Sequence, residues 1–88
     1  MRGLKNKRVL ITGGASGIGA ATAARFLEEE SRVVLLDRDD AACRRIEAEL
    51  PSLSGTIKSD VANADAVARA FVELDEMLGG LDILVNNA

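Results

Sequence analysis

A run of small residues, Thr12-Gly13-Gly14-Ala15-Ser16-Gly17-Ile18-Gly19, follows a short apolar stretch and opens a helical one. At a strand-to-helix junction such residues suit one kind of chemistry. They bare main-chain N–H groups at the positive end of a helix dipole, where a phosphate is held. Gly13 lets the backbone leave the strand in a conformation that a side chain forbids, Gly17 removes a Cβ where a pyrophosphate must come close, and Gly19 lets the helix pack tightly. Nucleophilic and metal chemistry are poorly supplied by contrast. The chain has no His, so Ser16 has no base to activate it and reads as a loop hydroxyl. Cys43 is alone, which excludes an internal disulfide and a multi-cysteine metal site; it reads as a core residue. The acids Glu28, Glu29 and Glu30 read as a solvated helix end rather than a cation site.

Three glycine-loop patterns compete for the turn. The phosphate loop of ATPases needs Lys and then Ser or Thr after its last glycine, but Gly19 is followed by Ala20-Ala21. The pattern G-x-G-x-x-G/A fits only as Gly17-Ile18-Gly19-Ala20-Ala21-Thr22, with Thr in the last place. T-G-x-x-x-G-x-G is met in full by Thr12, Gly13, Gly17 and Gly19. Asp37 ends the next apolar run, at about the twenty-residue distance at which an acid meets an adenosine ribose. Its carboxylate would accept from both ribose hydroxyls and repel a 2′-phosphate. Alone, Asp37 reads equally well as a solvated strand end or a cap for the turn before Asp39; beside the glycine turn the ribose reading is favoured. Asp60 alone is a turn residue as readily as a ligand contact. Asn86 and Asn87 are amides closing an apolar strand, where such groups commonly tie adjacent backbone together.

With these motifs in this order, the whole chain resembles the short-chain dehydrogenase/reductase family. The resemblance implies that Asp60 sits near the exocyclic amine of adenine with Val61 against the ring. It also implies that Leu81 to Ala88 is the family's fourth strand and its N-N-A-G motif without the final Gly. The implied cofactor-binding set is Thr12, Gly13, Ser16, Gly17, Ile18, Gly19, Asp37, Arg38, Asp60, Val61, Asn86, Asn87 and Ala88. Members that choose NADP often carry a base just before the second glycine or at the end of strand 2; here those places are Ser16 and Asp37, which favours NAD. Arg38 is the base placed to meet a 2′-phosphate if NADP is taken. Hydride transfer in the family relies on a Tyr, a Lys four residues later, a Ser and an Asn, all beyond the N-N-A-G segment. No Tyr occurs here, and the lysines are Lys5, Lys7 and Lys58, so no residue is assigned to catalysis.

The elements that must position these residues follow from apolar periodicity. Val9-Leu10-Ile11, Val33 to Leu36, Thr56-Ile57 and Leu81 to Val85 read as strands, the second polar on neither face. Between them, Gly17 to about Glu30 brings Ile18, Gly19, Ala23, Phe26 and Leu27 to one side of a helix whose acidic end is poorly capped. Asp39 or Asp40 caps a second helix with Cys43, Ile46 and Leu50 on one face, stopped by Pro51. Asn63 caps a third, striped with Val67, Ala70, Phe71, Leu74 and Leu78 and ended by Gly79-Gly80. Strand–helix repeated three times and then a strand predicts an α/β Rossmann-type doubly wound parallel sheet, order 3-2-1-4, with ligands beyond the carboxyl ends of the strands.

Eighty-eight residues allow one small domain, expected to be the N-terminal part of a single NAD(P)-binding domain cut before its catalytic half. A net charge of −3 with no basic stripe argues against nucleic acid, and the apolar run after the basic start, Val9 to Ile11, is too short for a signal core or membrane span. A reducing, cytoplasmic setting is expected. Ile83 and Val85 would lie on an open edge, so self-association through strand 4 is expected. The alternative function is a non-catalytic nucleotide-binding module or inactive remnant, and a third is a folded scaffold without ligand.

Overall fold

Runs of Val, Leu and Ile too short for helices form four parallel strands, β1 (Arg8–Thr12), β2 (Arg32–Asp37), β3 (Gly55–Lys58) and β4 (Ile83–Asn86), in the order β3-β2-β1-β4. The computed structural model describes residues 3–87. Register is set by pairing Val9 with Val33 and with Ile83, and Val34 with Gly55. Side chains alternate across a strand, so each central strand feeds two cores. Val9, Ile11, Val33 and Leu35 face one way and pack with Ala23, Ala42 and Ile46. Leu10, Val34, Leu36 and Ile57 face the other way and pack with Ala70, Leu74 and Leu78. Burying a Val, Leu or Ile side chain is worth roughly 1.5–3 kcal/mol, so this two-sided apolar sheet holds the crossovers in place.

The crossovers are α1 (Gly17–Glu28) and α2 (Asp40–Glu49) on the first face and α3 (Ala64–Leu78) on the second. Asp39 caps α2 by accepting from Ala42 N at 3.1 Å, and Asn63 caps α3 by accepting from Ala66 N at 3.0 Å. At its other end α3 stops on Gly79, whose φ of 74° only glycine adopts freely. No described helix is long and apolar enough to cross a membrane.

Four expectations need correcting. Helix α1 ends at Glu28, and its end is well capped: Glu30 takes φ 64°, its N–H donates to Leu27 O at 2.9 Å, and Ser31 N donates to Phe26 O at 3.1 Å. These two bonds are the Schellman pattern. Arg25 in the last turn pairs with Glu28 and Glu29, offsetting the acids. Ile18 does not join the α1 core stripe; at 72% exposed it stands out beside the glycine turn. Phe71 likewise leaves the α3 stripe and is 44% exposed, as is Leu84 at 53%, because the sheet ends at β4 and nothing among the described residues covers that corner. β4 itself begins at Ile83 rather than Leu81, since Asp82 is occupied with Arg8.

Candidate functional site

The glycine turn is folded by hydrogen bonds to β2 and by its own serine. Gly13, at φ 66°, donates its N–H to Leu36 O at 2.8 Å, and Gly14 N reaches the same carbonyl at 3.3 Å. Those two donors are therefore spent inside the fold. Ser16 caps α1: its Oγ donates to Gly13 O at 2.8 Å and accepts from Gly19 N at 3.4 Å. The first intrahelical bond runs from Ala20 N to Ser16 O, which leaves the N–H groups of Gly17 and Ile18 ahead of it at the positive end of the dipole. A Cβ added at Gly17 would meet nothing within 4 Å, so the space above these donors is open. At Gly19 it would lie 2.5 Å from Gly13 O and 2.6 Å from Gly14 Cα, which is the close packing the sequence calls for.

Asp37, half-buried at the end of β2, is joined to this turn. Its Oδ2 accepts from Ala15 N at 3.3 Å and its Oδ1 from Asp39 N at 3.0 Å. A cavity of about 400 Å³ opens beyond the carboxyl ends of β1, β2 and β3, lined by Gly13, Leu36, Asp37, Arg38, Ser59, Asp60, Val61 and Ala62. The fold thus brings Asp37, Arg38, Asp60 and Val61 to one hollow beside the glycine turn. Asp60 is exposed and its Oδ1 accepts from Ala62 N at 2.9 Å, so the acid also forms its own turn.

On the far side of β1, Thr12 Oγ1 donates to Asn86 Oδ1 at 3.0 Å, Asn87 N donates to Thr12 O at 3.1 Å, and Asn87 Nδ2 reaches Ser16 Oγ at 3.4 Å. The two amides knit β4 to the turn, as their position on an apolar strand suggests. Ala88 lies outside the described residues.

Comparison with known proteins agrees with this arrangement. The family model for short chain dehydrogenases matches residues 7–88. The chain belongs to the short-chain dehydrogenases. A D-xylose 1-dehydrogenase of Caulobacter vibrioides is 43% identical to this member over 88 residues, 97% of this chain and 34% of the relative. The solved structure of an NAD+-bound xylitol dehydrogenase superposes with a TM-score of 0.90 at 31% identity, over 99% of this chain and 35% of that one. A 3-ketoacyl-(acyl-carrier-protein) reductase from Brucella melitensis, solved with NADH, gives 0.85 at 33% identity over 92% and 34%. This short-chain dehydrogenase chain spans about a third of the length of these relatives. Nicotinamide dinucleotides are thus the cofactor class of its structural neighbours.

Sequence reasoning gave no role to several residues of this short-chain dehydrogenase. Gly14 is buried, and a Cβ there would lie 2.6 Å from Leu35 Cδ2 and 2.9 Å from Ile11 O, so the turn needs a fourth glycine, for packing. Arg8 and Asp82 form a clasp: Arg8 N and Nε meet Asp82 Oδ2 at 2.8 and 3.0 Å, and Nη2 meets Oδ1 at 3.1 Å. Those bonds hold the Asp82 carboxyl well below the usual range and raise the Arg8 guanidinium above its own. The lone acid of the Leu81-to-Val85 run was the signal for this pair. Burial first, and then the Asp37 carboxylate, push the Cys43 thiol up, so it stays protonated in the core.

Proposed function

We propose that these residues hold the adenosine and pyrophosphate of NAD for an oxidoreductase that acts between alcohol and carbonyl. The convergence of Asp37, Asp60 and Val61 on one cavity beside the glycine turn carries this reading. The open space at Gly17 admits a diphosphate to the N–H groups of Gly17 and Ile18, with Thr12, Gly13, Ser16 and Gly19 shaping that turn. Asp37 spends two of the roughly four acceptor sites of a carboxylate on Ala15 and Asp39, leaving capacity for two ribose hydroxyls. Asp60 and Val61 take the base, while Asn86 and Asn87 shape the cleft on the β4 side. When bound, the nicotinamide accepts or gives up the hydride. The proton-handling residues belong to parts of the whole protein outside these 88 residues, since the chain holds no Tyr.

NAD is preferred over NADP because the Asp37 charge would meet a 2′-phosphate, and such repulsion is strong in a partly dry cleft. Arg38, exposed beside it, offsets that only in part. The setting proposed is cytoplasmic. β4 is an edge strand, which supports self-association of the 88-residue chain through it. Calorimetric titration with NAD, NADP and ADP-ribose tests the reading: NAD and ADP-ribose bind and NADP binds more weakly. Tighter binding of NADP, or no binding of any of the three, contradicts it.

A further inference from the structure

The four-stranded sheet has two open edges, and they are built differently. β3 is guarded: Thr56 is tied to Glu47 by a 2.9 Å hydrogen bond, and Lys58 stands exposed at the strand's end. β4 carries no charge from Ile83 to Asn86, and its apolar side chains are divided between the two faces. Leu84, paired with Leu10, lies on the α3 side beside a hollow of about 310 Å³ lined in part by Leu10, Val67 and Phe71. Ile83 and Val85 lie on the α1 side, where Ile18 and Phe26 border a larger hollow. Main-chain groups alternate in direction along a strand as side chains do. Asn87 N donates to Thr12 O, so the N–H groups of Val85 and Ile83 also face β1, and the N–H and C=O of Leu84 point the other way, out of the sheet.

We propose that the 88-residue chain pairs with a second copy of itself, β4 against β4 and antiparallel about a twofold axis at Leu84, and that assembly stops at the dimer. This rests on the self-association reading given above and gives it a geometry. Antiparallel pairing sets each residue opposite one on the same face, and a twofold axis at Leu84 does so: Leu84 faces its own copy, and Ile83 faces Val85 on either side of it. At that axis the outward N–H and C=O of Leu84 bond reciprocally to those of the second copy. The two leucines then meet beside the hollows at Phe71, which a single chain leaves to water. Charge favours the same occupant. Across a twofold axis every charge meets its like, so a chain of net charge −3 needs an uncharged patch for contact with itself. β4 is such a patch, and Asp82, just before it, is already paired with Arg8. The guarded β3 edge offers no matching surface, so the contact closes on itself instead of running on into fibres.

Sedimentation equilibrium and a cysteine cross-link test this. The wild type should fit a monomer–dimer equilibrium whose limiting mass is twice that of the chain. Leu84→Cys sets two thiols at the axis, where opposed Cα atoms are about 5.5 Å apart and within disulfide reach. Oxidised glutathione should convert this variant to a covalent dimer, while Lys58→Cys, at the other edge of the sheet, forms none. Both positions are exposed, so neither change disturbs the core, and the buried Cys43 does not compete. Species beyond the dimer overturn the proposal and leave self-association standing. So does a Leu84→Cys chain that forms no covalent dimer, or a Lys58→Cys chain that cross-links as readily. A wild type that stays monomeric overturns both the geometry and the reading beneath it.

Discussion

The carboxylate of Asp37 accepts from the N–H of Ala15 at 3.3 Å, so the acid that ends β2 helps to hold the glycine turn that follows β1. The residue proposed to grip the ribose is therefore also part of what shapes the phosphate turn. Neither reading of Asp37, turn cap or sugar ligand, displaces the other. Its second oxygen accepts from Asp39 N at the start of the α2 cap, which ties strand, turn and helix into one rim around the cavity.

Two glycines of the turn should respond differently to the same methyl group. Gly19→Ala places a Cβ 2.5 Å from Gly13 O, and overpacking against backbone of this kind costs about 1–3 kcal/mol. Gly17→Ala meets nothing within 4 Å and should keep stability within roughly 0.5 kcal/mol of wild type while weakening NAD binding. Urea unfolding and titration, run on both variants, check the pair. Equal destabilisation of the two would show that Gly17 is held by packing rather than kept bare for a ligand.

The Arg8–Asp82 clasp makes a pH-dependent contribution. The Asp82 value is depressed in the folded chain by its bonds to Arg8, so its stabilisation is fully present above the ordinary Asp value of about 3.9 and is lost as pH falls through the depressed folded value. Asp82→Asn should lower the melting temperature at neutral pH, and the gap from wild type should shrink as the solution is acidified below about pH 4. Because both side chains remain about a third exposed to solvent, a modest gap is expected. A gap independent of pH would count against the ion pair as its cause.

Much of the fold was legible because two of the three crossovers are announced twice, by apolar period and by a cap. Asn63 before the α3 stripe and Gly79 after it are such a pair, and Asp39 does the same for α2. The strand order followed from parallel crossovers, and the observed sheet has it. Ile18 and Phe71 were misplaced for one reason: periodicity reports which side chains share a face, not whether anything covers it. Ile18 stands beside the open turn and Phe71 beside the uncovered corner at β4. The cap on α1 was missed because Glu30 carries it in a left-handed conformation that glycine usually takes. Gly14 and the Arg8–Asp82 clasp depend on approaches between distant segments.

The edge at β4 should bring copies of the 88-residue chain together. Leu84 is 53% exposed, with Ile83 and Val85 half-buried on the opposite face of the strand. Light scattering after size exclusion should show species above the monomer mass, growing with concentration. Leu84→Lys, a charge on an open edge, should return the chain to monomer. A wild type that stays monomeric at high concentration would remove this expectation.

The most direct test of the central claim is titration of NAD and NADP against wild type and Asp37→Ala. Hydrogen bonds to a charged group are worth about 1.5–3 kcal/mol, so NAD affinity should fall roughly ten- to a hundredfold in the variant. NADP affinity should fall less or rise, because the charge opposing its 2′-phosphate is gone, and the preference for NAD should narrow. Unchanged NAD affinity in Asp37→Ala, or an equal loss for both cofactors, would contradict the account, the second by reducing Asp37 to a brace for the turn.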